Sequence, residues 1–198
     1  MTAEAKPTGD GKGPDGAVAG TFENGYALLI GVHENAVPGW SLPKVANDVV
    51  ELHEALIDPR RCAYLDDHVR KLTGKDATRE NIEKELVVLR QRVYLDAEST
   101  AIVYFSGHGH RAPNPETGKA EYFLLPSDAE AIEANGQRVP NTEKALPATV
   151  FAMRIEEIGP KRLLVLLDCC HAGGMGVKDT AVRLDGLVRT AIPADLFM

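Results

Sequence analysis

Features that mark several classes of protein are scarce in this sequence of 198 residues. It contains three cysteines, two of them adjacent, which is too few for a disulfide framework and favours a reducing, cytoplasmic setting. Its longest apolar runs are short, such as 163–167, whereas a membrane-spanning helix needs about 20 apolar residues. The amino-terminal segment has no apolar stretch typical of a secretory signal. A disulfide-rich secreted domain and a membrane protein are therefore not expected.

Positive charge is also scarce. Lys and Arg number 22 against 29 Asp and Glu, which gives a formal net charge of −7. Extended contact with nucleic acid or with an anionic membrane requires a basic surface, so neither is an expected partner. The remaining composition, with 44% hydrophobic and 26% charged residues, is that of an ordinary globular domain.

The order of apolar patterns predicts the fold class. Residues 1–22 are rich in glycine and charge and are expected to form a flexible tail, and residues 23–198 are expected to form one domain. Short apolar runs typical of buried strands alternate there with amphipathic helical patterns. We expect strands at 26–32, 69–72, 101–105, 122–125 and 163–167, and helices at 45–56, 78–93 and 148–158. This alternation predicts an α/β fold, a three-layer α/β/α sandwich around a mostly parallel sheet.

Two segments that follow predicted strands carry the chemistry. They are Ser106-Gly107-His108-Gly109 and Asp168-Cys169-Cys170-His171. In parallel sheets ligands bind where the strands end, so an imidazole and a thiol are expected to share a site there. An imidazole can accept a thiol proton and later protonate a leaving amine, while backbone N–H groups of Gly109 and Cys170 can hold an oxyanion. The pair of segments predicts acyl transfer through a thioester.

The same two segments resemble the catalytic signatures of the caspase and metacaspase superfamily of cysteine peptidases. The run 26–31 and the triplet 47–49 resemble that family's first strand and first helix, and the resemblance extends over roughly residues 24–180. It implies a caspase-like fold and a cysteine-type endopeptidase that acts on protein or peptide substrates. Cys170 matches the nucleophile and His108 the general base, with Gly109 and Cys170 forming the oxyanion hole.

The resemblance also implies a substrate preference. Asp168, and less directly Asp48, match acidic residues with which metacaspases bind an arginine or lysine before the scissile bond. No cofactor is implied. Calcium activation is not expected, because segment 111–121 holds few carboxylates and calcium takes about six to eight oxygen ligands.

The chain departs from the family pattern after the nucleophile. Only 28 residues follow Cys170, whereas the family fold continues with a smaller half. Residues 23–198 therefore correspond to a large-subunit portion, and the small-subunit half is expected to be absent. A small-subunit polypeptide or an activating protein is a predicted partner besides the substrate.

Other interpretations stay open on sequence alone. The domain could be a non-catalytic caspase-like scaffold or a half-enzyme, a peptidase of separase or legumain type, or a zinc site built from the same cysteines and histidines. Asp168 could simply cap a turn, and Asp48 could be a solvated helix residue. Cys169 and Trp40 are expected to pack rather than to take part in chemistry.

Overall fold

The computed structural model describes residues 20–114, 117–171 and 188–189, with the backbone alone at 170–171 and 188–189. Most of the predicted tail and most of the segment that follows the nucleophile lie outside these residues.

The described residues form three α-helices, nine strands and two short 3-10 helices, Asp66–His68 and Gly74–Asp76. The helices are α1 (Pro43–Ile57), α2 (Arg79–Tyr94) and α3 (Ala148–Glu156). The strands are β1 (Gly25–Gly31), β2 (Val69–Thr73), β3 (Thr100–Pro113), β4 (Ala120–Leu124), β5 (Ala131–Ala134), β6 (Gln137–Pro140), β7 (Leu146–Pro147), β8 (Arg162–His171) and β9 (Val188–Arg189). None of the helices in the described part of the chain is both long and apolar enough to cross a bilayer.

The main sheet is parallel at its centre and antiparallel at one side. Strands β2, β1, β3 and β8 pair in that order, all parallel, and β9 pairs in parallel with β8. Beyond the end of β1, the second half of β3 pairs with antiparallel β4, which in turn pairs with β7. The sheet is thus mixed, with the predicted parallel core, and β5 and β6 form a separate hairpin.

Helices cover both faces of the sheet, as a three-layer fold requires. One face packs against α2 and α3 through a cluster that includes Leu28, Ile30, Ile82, Leu86, Val103, Phe105, Phe151 and Ile155. The opposite face packs against α1 through a cluster that includes Ala27, Leu29, Val49, Leu56, Ile102 and Tyr104. Alternate residues of β1 and β3 enter the two clusters, as the side-chain alternation of a strand dictates.

Local chemistry explains where the helices begin and how closely they pack. Thr78 caps α2 by accepting a hydrogen bond from the Asn81 backbone N–H at 3.2 Å. Helix α1 starts with Pro43, and proline is favourable there because the backbone N–H it lacks would have no partner within the helix. A β-carbon at Gly31 would lie 2.5 Å from a methyl carbon of Val49, so the glycine permits the close approach of α1 to β1.

Two strands are longer than the sequence predicts. We expected them to end at Phe105 and Leu167, but β3 continues to Pro113 and β8 to His171. The extension exists because β4 and β8 supply pairing partners for the glycine-containing segment after Phe105. Both signature segments consequently lie within paired strands rather than in loops that follow them.

Candidate active site

The register between β3 and β8 brings the two signature segments side by side. Ser106 is opposite Asp168, and His108 is opposite Cys170. Neighbouring strands lie about 4.8 Å apart, so the backbones of the predicted base and nucleophile are adjacent. Residues two apart in a strand share a face, and positions 168 and 170 therefore belong to the face on which Leu164 and Leu166 pack towards α1.

The imidazole of His108 has a definite orientation. Its Nε2 lies 2.9 Å from the backbone carbonyl oxygen of Trp40, and the ring is half-buried. A carbonyl oxygen can only accept a hydrogen bond, so Nε2 carries the proton. In the neutral ring, Nδ1 is then the atom with the free lone pair, which is the form a general base needs.

Trp40 has two roles, of which sequence reasoning found one. Its side chain packs against a small cluster formed by Phe123, Leu125, Ala129 and Ala145, which confirms the expected packing role. Its carbonyl oxygen orients His108, and this role was missed. The bond is made by the main chain, so no residue type marks it in the sequence.

Asp168 is held by a hydrogen bond from a buried hydroxyl. The Ser106 Oγ–H, only 1% exposed, donates to Asp168 Oδ2 at 3.2 Å. Tyr104 lies next to this pair. Burial, and to a smaller extent the negative charge of Asp168, raises the pKa of its phenol, whereas a hydrogen bond with Ser106 lowers that pKa. The carboxylate is thus fixed in place two residues before the predicted nucleophile.

Asp48 approaches Asp168 from helix α1. Partial burial, followed by the negative charges of Asp168 and Glu51, raises the pKa of the Asp48 carboxyl above its ordinary value, and Lys44 opposes the shift. None of the ion pairs among the described residues involves Asp48 or Asp168. Two carboxylates whose repulsion Lys44 offsets only in part form a place where a further positive group would be stabilised.

The two adjacent cysteines differ in their surroundings. Cys169 is half-buried and packs against the cluster beneath α2 and α3, on the face opposite to Asp168. This confirms the expected packing role of Cys169. For Cys170 the structure describes the backbone, which lies in β8 opposite His108.

Gly109 presents its backbone towards β8. The carbonyl groups of Ser106 and His108 accept hydrogen bonds from the N–H groups of Val32 and Leu125, on the β1 and β4 side of β3. Backbone groups of successive strand residues point to alternate sides, so the N–H of Gly109 faces the strand that contains Cys170. Because β3 and β8 are paired at this position, the N–H belongs to the ladder between the two strands, and it could hold an oxyanion only where that pairing opens.

Comparison with known proteins identifies the family and the fold of the chain. The sequence model of the caspase domain matches residues 24–195. Among solved structures, the fold is similar to that of a Geobacter sulfurreducens protein determined by structural genomics, with 17% sequence identity and a TM-score of 0.50. The match covers 76% of this chain and 52% of the other, so the chain spans about half the length of that structure. Curated proteins gave no match.

Proposed function

The chain belongs to the caspase-domain family of cysteine peptidases, and from that premise we propose that it is an endopeptidase that cleaves after arginine or lysine. The observation that carries the proposal is the alignment of His108 with Cys170 across neighbouring strands, with the proton of the imidazole held on Nε2 by Trp40. This arrangement leaves Nδ1 available for the proton of the nucleophile.

The proposed reaction has two halves. Nδ1 of His108 takes the proton of the Cys170 thiol, and the thiolate attacks the carbonyl carbon of the scissile peptide. The N–H groups of Gly109 and Cys170 leave the ladder between β3 and β8 and stabilise the oxyanion. The imidazolium then protonates the departing amine as the carbon–nitrogen bond breaks. Water, deprotonated by the same imidazole, hydrolyses the thioester and restores the thiol. The residues supply each proton transfer, and the proposal includes no metal and no cofactor.

Asp168 and Asp48 support the proposed preference for a basic residue. The first carboxylate is fixed by Ser106, and the second lies close enough for each charge to be felt by the other. A guanidinium or ammonium group between them would relieve the repulsion and form charge-assisted hydrogen bonds. An aspartate side chain in the same place would add a third negative charge, so cleavage after aspartate is not expected.

One observation favours a second candidate, a half-enzyme that needs a further polypeptide. The five apolar residues 163–167 of β8 are only partly covered, and Leu167 is 37% exposed, whereas the aligned residues of β3 are buried. Among the described residues, the outer edge of β8 is paired only at Leu164 and Val165, by β9. A small-subunit polypeptide that adds a strand there would cover this apolar run and complete the substrate groove.

The test compares two fluorogenic peptides that differ in one residue, arginine or aspartate, before the reporter group. Wild type, Cys170→Ala and the matched control Cys169→Ala are each assayed with chelator and with added calcium. We expect arginine-selective turnover that needs no calcium, that is lost in Cys170→Ala and that largely survives in Cys169→Ala. Turnover of the aspartate peptide would refute the acidic pocket, and turnover that survives in Cys170→Ala would refute the nucleophile. Turnover that appears only after addition of a small-subunit polypeptide would support the half-enzyme.

A further inference from the structure

We propose that Asn35 is a positioning residue that holds the imidazole of His108 in its working orientation by fixing the loop that carries Trp40. The catalytic part of this proposal rests on the function proposed above, whereas the orientation of the imidazole can be measured without turnover.

Asn35 connects two segments that surround His108. Its side-chain Oδ1 accepts a hydrogen bond from the Val37 backbone N–H at 2.9 Å, which closes a short turn in the loop between β1 and α1. Its Nδ2 donates to the Pro126 carbonyl oxygen at 3.1 Å, in the segment that follows β4. Both bonds are partly buried, and Val37 itself is 4% exposed, so the turn is anchored in the protein.

These bonds belong to a closed ring that begins and ends at His108. The imidazole Nε2–H donates to the Trp40 oxygen at 2.9 Å, and the Trp40 N–H donates to the Val37 oxygen at 3.2 Å. Asn35 then links Val37 to Pro126 through its side chain. The ring closes because Leu125, the residue before Pro126, donates its N–H to the His108 oxygen at 2.9 Å. The ring therefore fixes the side chain of His108 relative to its own backbone.

The loop is also held by other bonds, and these set the size of the expected effect. The Leu42 N–H donates to the His33 oxygen at 3.0 Å. The Ala36 N–H donates to the Ser127 oxygen at 2.9 Å, and this bond does not depend on the side chain at position 35. Loss of the Asn35 amide should therefore loosen the Trp40 carbonyl rather than release it. We expect a graded loss of activity, since one or two hydrogen bonds correspond to roughly a three- to tenfold change.

The chemical consequence concerns the two nitrogens of the imidazole. When the carbonyl no longer holds Nε2–H firmly, a larger share of neutral rings carries the proton on Nδ1, where it blocks the acceptance of the thiol proton. The imidazolium formed during the reaction also loses part of a charge-assisted hydrogen bond. A residue without influence on the Trp40 carbonyl would leave the proportion of the two tautomers unchanged.

The experiment uses Asn35→Ala with Asn141→Ala as a matched control. Asn141 also accepts a hydrogen bond from the backbone N–H two residues ahead, that of Glu143 at 3.1 Å, but it lies in the turn between β6 and β7. Protein with 15N-labelled histidine is examined by NMR, and the signals of His108 are assigned by their absence in His108→Gln. Asn35→Asp keeps the acceptor for Val37 but replaces the donor to Pro126, and it serves as a second variant if Asn35→Ala does not fold.

We expect the Nε2–H form of His108 to dominate in wild type and in Asn141→Ala, and to decrease in the Asn35 variants. With the arginine peptide, kcat should fall roughly three- to tenfold with KM nearly unchanged. Tautomer populations and kcat values that match those of Asn141→Ala would overturn the proposal. A tautomer shift in a chain whose wild type cleaves neither peptide, either alone or with a small-subunit polypeptide, would uphold the positioning role and refute the peptidase.

Discussion

Replacement of Asp168 by asparagine should separate recognition of a basic side chain from the chemistry of cleavage. Asparagine has nearly the same shape, and its Oδ1 can still accept the hydrogen bond that Ser106 donates at 3.2 Å in the wild type. An ion pair at about 4 Å contributes roughly 4 kcal/mol at an effective dielectric constant near 20. Asp168 is only half-buried and Asp48 would remain, so we expect about half of that value, a loss of roughly 30-fold in kcat/KM.

The assay measures this loss with a matched pair of peptides. One peptide has arginine before the scissile bond and the other has citrulline, which replaces the guanidinium by a neutral urea of the same shape. Wild type, Asp168→Asn and Asp67→Asn are compared at low and high salt. Asp67 is an exposed residue just before the amino end of β2, so its substitution removes the same charge far from the site.

The expected result is selective. Asp168→Asn should lose about 30-fold on the arginine peptide and less than about threefold on the citrulline peptide, and Asp67→Asn should resemble the wild type on both. High salt should reduce the discrimination between the peptides in the wild type. An equal loss on both peptides would mean that Asp168 supports the structure of the site rather than its charge, and an unchanged arginine rate would refute the acidic pocket.

Three further variants test the electrostatics and packing described above. The pKa of the Asp48 carboxyl is raised, so its ionisation lowers the stability of the folded chain as pH rises from the unfolded to the folded pKa. Asp48→Asn should therefore raise Tm by about 1 °C at pH 7, a small gain because the side chain is exposed, and leave Tm unchanged at pH 3, where the carboxyl is protonated in both states. An equal gain at both pH values would contradict this expectation. The Arg79 guanidinium donates hydrogen bonds to the carbonyl oxygens of Ala145 at 2.9 Å and Glu143 at 3.1 Å. Arg79→Ala should therefore lower the free energy of unfolding, measured in urea, by about 1–2 kcal/mol. The control Arg90→Ala removes only a surface ion pair and should lower it clearly less. Gly31→Ala should lower the free energy of unfolding by about 1–3 kcal/mol, because the new methyl group clashes with Val49. If that clash is the cause, the double variant with Val49→Ala should lose less free energy of unfolding than the sum of the two single variants.

Elements with a strong local signal could be predicted from sequence. The apolar run 101–105 predicts a buried strand, and the spacing of Ile82, Leu86, Leu89 and Val93 predicts one helix face; all four of these helix residues are buried. Hairpin β5–β6 also has a local signal that was overlooked. Asn135 and Gly136 have φ angles of 53° and 73°, the left-handed conformation of a two-residue hairpin turn, for which Asn-Gly is a preferred pair.

Other parts of the site depend on tertiary contacts and could not be predicted in this way. The extension of β3 to Pro113 follows from pairing with β4 and β8, since its glycines have low strand propensity on their own. Helical periodicity places Asp48 on α1, but its proximity to Asp168 follows from how α1 packs on β1. Asn35 and Trp40 act through hydrogen bonds to main-chain atoms or from a main-chain atom, with partners far apart in sequence, and no pattern of residue types predicts such bonds.

The carbonyl of Trp40 has an evolutionary consequence. Every amino acid carries a backbone carbonyl, so the group that orients the imidazole survives any substitution at position 40 that preserves the path of the loop. Natural variation at position 40 is therefore expected to leave catalysis intact, and a comparison of sequences would not identify this position as functional. Selection would act instead on insertions, deletions and prolines that redirect the loop. In this family of sites, the length of the segment between the first strand and the first helix should vary less than its composition.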